Sequence, residues 1–313
     1  MAEEKNFRHK VATGALTLPV CSLLTCVLWY FSREDSVAHW LGLVVVGLSA
    51  YVIAEWNNRN ALLRIRSRLM SAVYLVLMAA FSFLHQWNLE ILSTLSLLGT
   101  YYTLFNAYQK PRAEVDVFHA FVLLGIGGIF FPLLLFLVPF FFSSMLIQLR
   151  VLNWRTFCAG IIGLLLPYWF YGIWAFWRDT LGQDLQRWTE YFSLPNWESL
   201  SFGWEQIVSF GFLAVFSLIA VVHFVRTSFN DKIRTRMLLY IIMLQEVVLA
   251  SMLVVWPNYF DTWMFLLVAN SSPFIAHYFA LARGRGINIF FNITIGLIAI
   301  LGIANSLNIW KLL

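Results

Sequence analysis

The basic residues of this chain fall in every second gap between long apolar runs, and that alternation limits its possible folds more than any other feature. Lys5, Arg8 and Lys10 precede the first run. Arg59, Arg64, Arg66 and Arg68 follow the second, Lys110 and Arg112 the fourth, and Arg150 and Arg155 flank the gap after the sixth. Arg226, Lys232, Arg234 and Arg236 follow the eighth, and Arg283 and Arg285 the tenth. The remaining gaps hold only Arg33, Arg178, Arg187 and Lys311. Membrane proteins retain Lys and Arg in short cytoplasmic loops. The pattern therefore predicts an all-α, multi-spanning helix bundle with its N-terminus inside and its C-terminus outside.

Composition agrees with that reading. Hydrophobic residues make up 60 % of the 313 positions and charged residues 12 %, with a mean hydropathy of +0.74. A soluble domain of this length needs more polar surface than the chain supplies. The net charge of +5 is not a signal for nucleic acid, because the basic residues sit beside apolar spans, where they meet anionic lipid headgroups. Cys21, Cys26 and Cys158 all lie inside apolar runs, and no CxxC pair or disulfide framework exists.

A helix needs roughly 20 apolar residues to cross the hydrocarbon. The runs at 13–31, 37–56, 69–87, 89–108, 117–131, 133–149, 156–176, 206–226, 237–256, 263–282 and 287–309 give about eleven spans in one membrane domain, 1–313. The first run is too long for the core of a signal peptide and is read as a retained span. Residues 117–149 are long for one helix and short for two. The charge alternation requires two, and Pro132 and Pro139 suit a tight hairpin or a re-entrant pair.

The one sizeable hydrophilic segment, about 177–205, falls on the outer side. Leu181, Leu185, Trp188 and Phe192 recur in it at helical spacing, which predicts an amphipathic helix on the membrane–water interface over 181–192. Asp179, Asp184, Arg187 and Glu190 are the candidate site residues of this loop, since an Arg there can hold a phosphate bidentately. The plainer reading makes them the wet face of the interfacial helix. Glu34 and Asp35 form an acidic step in the first outer loop, too short to house an acceptor substrate.

Within the spans, Glu246 is a carboxylate near the middle of an apolar helix, where an ionisable group is costly and functional by default. Asn270, Ser271 and Ser272, with Pro273 breaking the backbone ladder, fall at nearly the same depth in the next span, and His277 shares their face. These five polar residues form the predicted intramembrane polar centre for a proton, an ion or a headgroup. Packing glue between helices is the alternative. His85 and Glu90 make a weaker polar pair in an outer turn. On the inner side Arg150, Trp154 and Arg155 are candidates for a headgroup phosphate, with a topology anchor as their simpler role. No metal-spaced His/Cys cluster, phosphate loop or nucleophile motif appears, and nothing names a cofactor.

The stretch from Phe130 to Tyr171, with Pro132, Arg150, Asn153–Trp154–Arg155, Gly163 and Pro167–Tyr168, resembles a family of bacterial multi-spanning membrane proteins of unassigned function. The resemblance implies a bacterial inner-membrane location and work on the cell envelope, and it supplies no catalytic residues. Three classes follow. One is processing of a lipid-linked saccharide or lipid, such as a polyprenyl-phosphate-linked substrate, at the outer face. The second is a proton- or ion-coupled transporter or flippase, and the third a scaffold that binds a membrane-protein partner.

Overall fold

The computed structural model describes residues 7–32, 37–65, 67–195, 201–282 and 284–307, and every regular element among them is helical. Glu34 and Asp35 lie outside the described residues, as do Asn196 and Trp197, where the interfacial helix was expected to end.

The chain opens with α1 (Phe7–Thr13) and α2 (Thr17–Phe31), which meet at 90°. Gly14 permits the bend, because a Cβ there would lie 2.5 Å from the Lys10 carbonyl oxygen. A long helix, α3 (Val37–Asn60), precedes two shorter ones, α4 (Leu69–Ala80) and α5 (Leu92–Leu104). The next helix, α6 (Glu114–Phe130), ends at an extended Phe131. Pro132 then starts a 3₁₀ stretch that leads into α7 (Val138–Ser144) and one π turn, Met145–Leu149. That turn closes at Arg150, whose φ of 56° is left-handed. Asn153 and Thr156 cap α8 (Trp154–Trp177) reciprocally: the Asn153 side chain accepts from the Thr156 N–H at 3.0 Å and the Thr156 hydroxyl from the Asn153 N–H at 2.9 Å. The remaining helices are α9 (Leu181–Tyr191), α10 (Trp204–Thr227), α11 (Ile233–Val255), α12 (Phe260–Leu281) and α13 (Arg285–Ser306).

Seven described stretches are long and apolar enough to cross a membrane: α3, Pro132–Leu149, α8, Trp204–Asn230, α11, Pro257–Leu281 and Gly286–Ser306. The bent α1–α2 pair is an eighth if it counts as one span. The protein is thus a multi-pass helical membrane protein. Three of the eleven expected spans, 69–87, 89–108 and 117–131, form helices of only 12, 13 and 17 residues. A 12-residue helix rises about 18 Å, well short of the hydrocarbon thickness of about 30 Å. An apolar run is not always one helix. Short 3₁₀ turns at Ser82–His85, Leu89–Ile91 and Phe105–Ala107 use up part of the first two runs.

Pro273 was expected to interrupt the tenth span, yet α12 continues through it. A proline leaves the carbonyl four residues back without its helical donor. The Ser272 hydroxyl replaces that donor, reaching the Ala269 carbonyl oxygen at 3.0 Å. Burial also separates the spans: 83 % of the Pro257–Leu281 span is buried against 17 % of α8. The first is a core helix, whereas α8 turns most of its surface outward.

By its contacts the chain groups into two compact units, each assembled from separated stretches. The first comprises residues 1–88, 201–236 and 267–313, and the second residues 89–200 and 237–266. No linker in the sequence marks this division. In the first unit α4 packs against α2, α3 and α13. Trp29 is wholly buried there, donates its indole N–H to the His39 carbonyl at 3.1 Å and stacks on His85 at 3.9 Å. The Asn305 amide donates to the Ala80 carbonyl at 2.9 Å. In the second unit α6 packs against both α5 and α8, and small residues bring its backbone close to that of α8. A Cβ at Gly125 would meet the Leu164 carbonyl oxygen at 2.6 Å, and one at Gly163 the Phe118 carbonyl oxygen at 2.5 Å.

Candidate functional site

In the first unit, Asp231 occupies the turn after α10 and the 3₁₀ turn Ser228–Asn230, among the basic residues Arg226, Lys232, Arg234 and Arg236. Its side chain is fully buried. Arg64, in the loop before α4, donates its Nε–H to Oδ1 and reaches the Thr227 carbonyl with Nη2 at 3.3 Å. On the other oxygen, Oδ2, lies His277 Nε2 at 3.2 Å, from an equally buried ring on α12. One carboxylate therefore joins the α10–α11 turn, the loop before α4 and α12.

Burial pushes the Asp231 carboxyl up, but the hydrogen bonds and charges of His277 and Arg64 outweigh it and hold the group below the usual carboxylate range. An ionised carboxylate only accepts hydrogen bonds, so His277 carries its proton on Nε2 and turns Nδ1 away from Asp231. Nδ1 is buried and has no protein partner. The arrangement is that of a proton-accepting imidazole: a carboxylate orients one ring nitrogen and leaves the other open. His223 on α10 lies beside it, ring centroids 6.3 Å apart, with Tyr278 edge-on to His223 at 5.0 Å and Phe224 edge-on to His277 at 5.4 Å.

Of the predicted polar centre, Asn270, Ser271, Ser272 and His277 belong to the first unit and Glu246 to the second. Asn270 is buried, and the Ser271 and Ser272 hydroxyls bond carbonyls of their own helix, at Leu267 (2.7 Å) and Ala269. His277 is tied to Asp231. Glu246 is half-buried and acts electrostatically on the Tyr101 hydroxyl. Next to it, Gln245 is wholly buried with both amide atoms unpartnered. Sequence reasoning missed Asp231, His223 and Gln245. An acid in a basic loop reads as a solvated turn residue, and Arg64 reads only as a topology marker.

The outer-loop candidates all fall in the second unit. Asp179 is exposed at a left-handed φ of 56°, and Arg187 and Glu190 are exposed on α9. Asp184 accepts the Thr180 hydroxyl at 3.1 Å. The inward face of α9 is Asp184, Trp188 and Tyr191, with Trp188 stacked on Tyr171 at 5.5 Å, while Leu181, Leu185 and Phe192 stay exposed. The Tyr191 hydroxyl donates to the buried Glu90 carboxylate at 2.7 Å, and Thr262 donates to its other oxygen. Glu90 is thus bound by α9 and α12, and His85, considered with it from the sequence, instead pairs with Ser32 and the Met78 carbonyl. Trp154 is 77 % exposed, and Arg150 and Arg155 are exposed too.

Among the described residues no group of three His, Cys, Asp or Glu is arranged to hold a metal ion. Compared with family models, with characterised proteins and with solved structures, the chain matches none. The functional reading rests on the site itself.

Proposed function

We propose that this protein is a proton-coupled membrane transporter whose proton-accepting group is His277, oriented by Asp231. One observation carries the reading: a fully buried Asp–His pair in a multi-pass membrane protein, with the second imidazole nitrogen open. Intramembrane ionisable groups that pair with one another mark proton and substrate pathways. In this reading the chain makes about eleven passes of a bacterial inner membrane, N-terminus inside and C-terminus outside, and the charge alternation supports an inner-side position for Asp231. His277 and Arg64 together hold Asp231 as an ionised acceptor, which orients the His277 ring. The test is a pH jump on proteoliposomes adsorbed to a solid-supported membrane, which reads charge displaced by proton binding. Wild-type protein gives a transient current between pH 5 and 8, and Asp231→Asn with His277→Gln removes it. A silent wild type overturns the reading.

A second reading, processing of a lipid-linked saccharide or lipid at the outer face, is supported by an apolar groove of about 570 Å³ in the second unit. Val122, Ile126, Ile129, Leu166, Pro167 and Trp174 line it, and Tyr171 joins it to Trp188 on α9, the helix that carries Asp184 and Arg187. A hydrocarbon chain fits such a groove. Native mass spectrometry of the gently solubilised protein tests it: a retained polyprenyl-phosphate favours processing, and its absence removes this reading.

A further inference from the structure

His277 Nδ1 and His223 Nε2 are both buried without a partner, on neighbouring rings tilted 57° to one another. A polar nitrogen in that state costs about 1–3 kcal/mol unless something fills its place. The centroid separation of 6.3 Å is too long for a direct ring-to-ring hydrogen bond. It suits two hydrogen bonds of roughly 2.8 Å in series through one water.

We propose that His223 and His277 hold one exchangeable water between them, and that His223 is the carrier through which protons reach His277. This rests on the proton-coupled reading and adds the route to it. Protonated His223 gives up its Nε2 proton to the bridging water, and the water passes one of its own protons to the Nδ1 lone pair of His277. One N–H bond breaks on His223 and one forms on His277. The positive charge ends on an imidazolium whose other nitrogen already faces the Asp231 carboxylate.

The groups around the pair favour a proton over a metal cation. From the loop before α4, Arg64 acts on both His223 and Asp231. From α1, Arg8 acts on Tyr278, the α12 residue edge-on to His223, and donates to the Ala282 carbonyl. The α10–α11 turn contributes Asp231, already shared between Arg64 and His277. Two guanidinium groups and a single carboxylate leave no net negative charge for a divalent ion. A proton adds one charge rather than two, and the Asp231 carboxylate faces the ring that receives it.

The experiment compares proton-uptake rates after a pH jump in proteoliposomes of wild type, His223→Gln and His223→Ala. Uptake in both variants slows at least tenfold while the total charge displaced stays at the wild-type level, and added imidazole restores the rate of His223→Ala. Uptake at the wild-type rate overturns the carrier role. A slow rate that imidazole does not restore overturns it too, because it makes His223 a packing residue. A wild type that displaces no charge is a different failure, that of proton coupling itself, and the route falls with it.

Discussion

His277 reaches Asp231 across 46 residues of sequence, its Nε2 lying 3.2 Å from Oδ2 with both side chains wholly buried. The contact joins a residue inside an apolar helix to one in a charged turn. It ties together two residues whose sequence contexts are quite different.

The pH dependence of this pair has a definite sign. The folded-state pKa of Asp231 is lowered, so its stabilising contribution is fully present above the unfolded value of about 3.9. That contribution is lost as pH falls through the lower folded value. The difference in melting temperature between wild type and Asp231→Asn therefore shrinks as pH falls below about 4. Fluorescence-monitored thermal unfolding of the purified protein across pH 3–8 checks it.

Arg64→Ala leaves Asp231 buried with the His277 ring as its side-chain partner. Breaking a buried pair by removing one partner costs several kcal/mol. Because Arg64 is 36 % exposed, the expected loss is smaller, about 2 kcal/mol. The same thermal assay reads it, and Arg64→Lys recovers only part, since a single ammonium does not reproduce the guanidinium contacts to Asp231 and Thr227.

Close approach of α6 and α8 predicts a contrast between two glycines of one helix. Gly163→Ala drives a methyl group to 2.5 Å from the Phe118 carbonyl oxygen, whereas a Cβ at Gly172 has nothing within 4 Å. The first substitution destabilises by about 1–3 kcal/mol. The second is neutral or slightly stabilising, since alanine favours the helix. Equal melting temperatures for the two variants would count against this packing.

Tyr191→Phe removes the hydrogen bond that fastens α9 to Glu90. Burial first, and then the Glu90 hydrogen bond and charge, raise the Tyr191 pKa, so the hydroxyl remains a donor throughout the physiological range. No residue of α9 is fully buried, and beside this hydrogen bond it is held by ring contacts of Trp188 with Tyr168 and Tyr171 and of Tyr191 with Phe131 and Tyr259. Its loss costs about 1–2 kcal/mol, read as faster amide hydrogen exchange over 181–191 and little change elsewhere.

The membrane topology gives a further prediction. A reporter fused after Gly182 reads as external and one after Asp231 as internal. Reversal of either would invert the proposed orientation and move the Asp231–His277 pair to the other membrane face.

The sequence by itself determined the class of this protein. Apolar runs with basic residues in alternate gaps admit only a helical, multi-pass membrane protein, since the backbone in a bilayer must satisfy its own hydrogen bonds. It also placed a helix near 181–192, because a 3.6-residue period is a local property, and it singled out His277 as a polar residue in an apolar span. Helix lengths were less legible: hydropathy does not separate a 3₁₀ turn from the helix it ends, as at Ser82–His85. Only the tertiary structure decided the rest. Asp231 looked like an ordinary turn acid, Arg64 a topology marker and Ser272 a polar centre residue, until packing gave Asp231 to His277 and Arg64 and set the Ser272 hydroxyl on the carbonyl that Pro273 leaves open. Burial and partnership depend on which distant segments meet, and no local pattern of residue types records that.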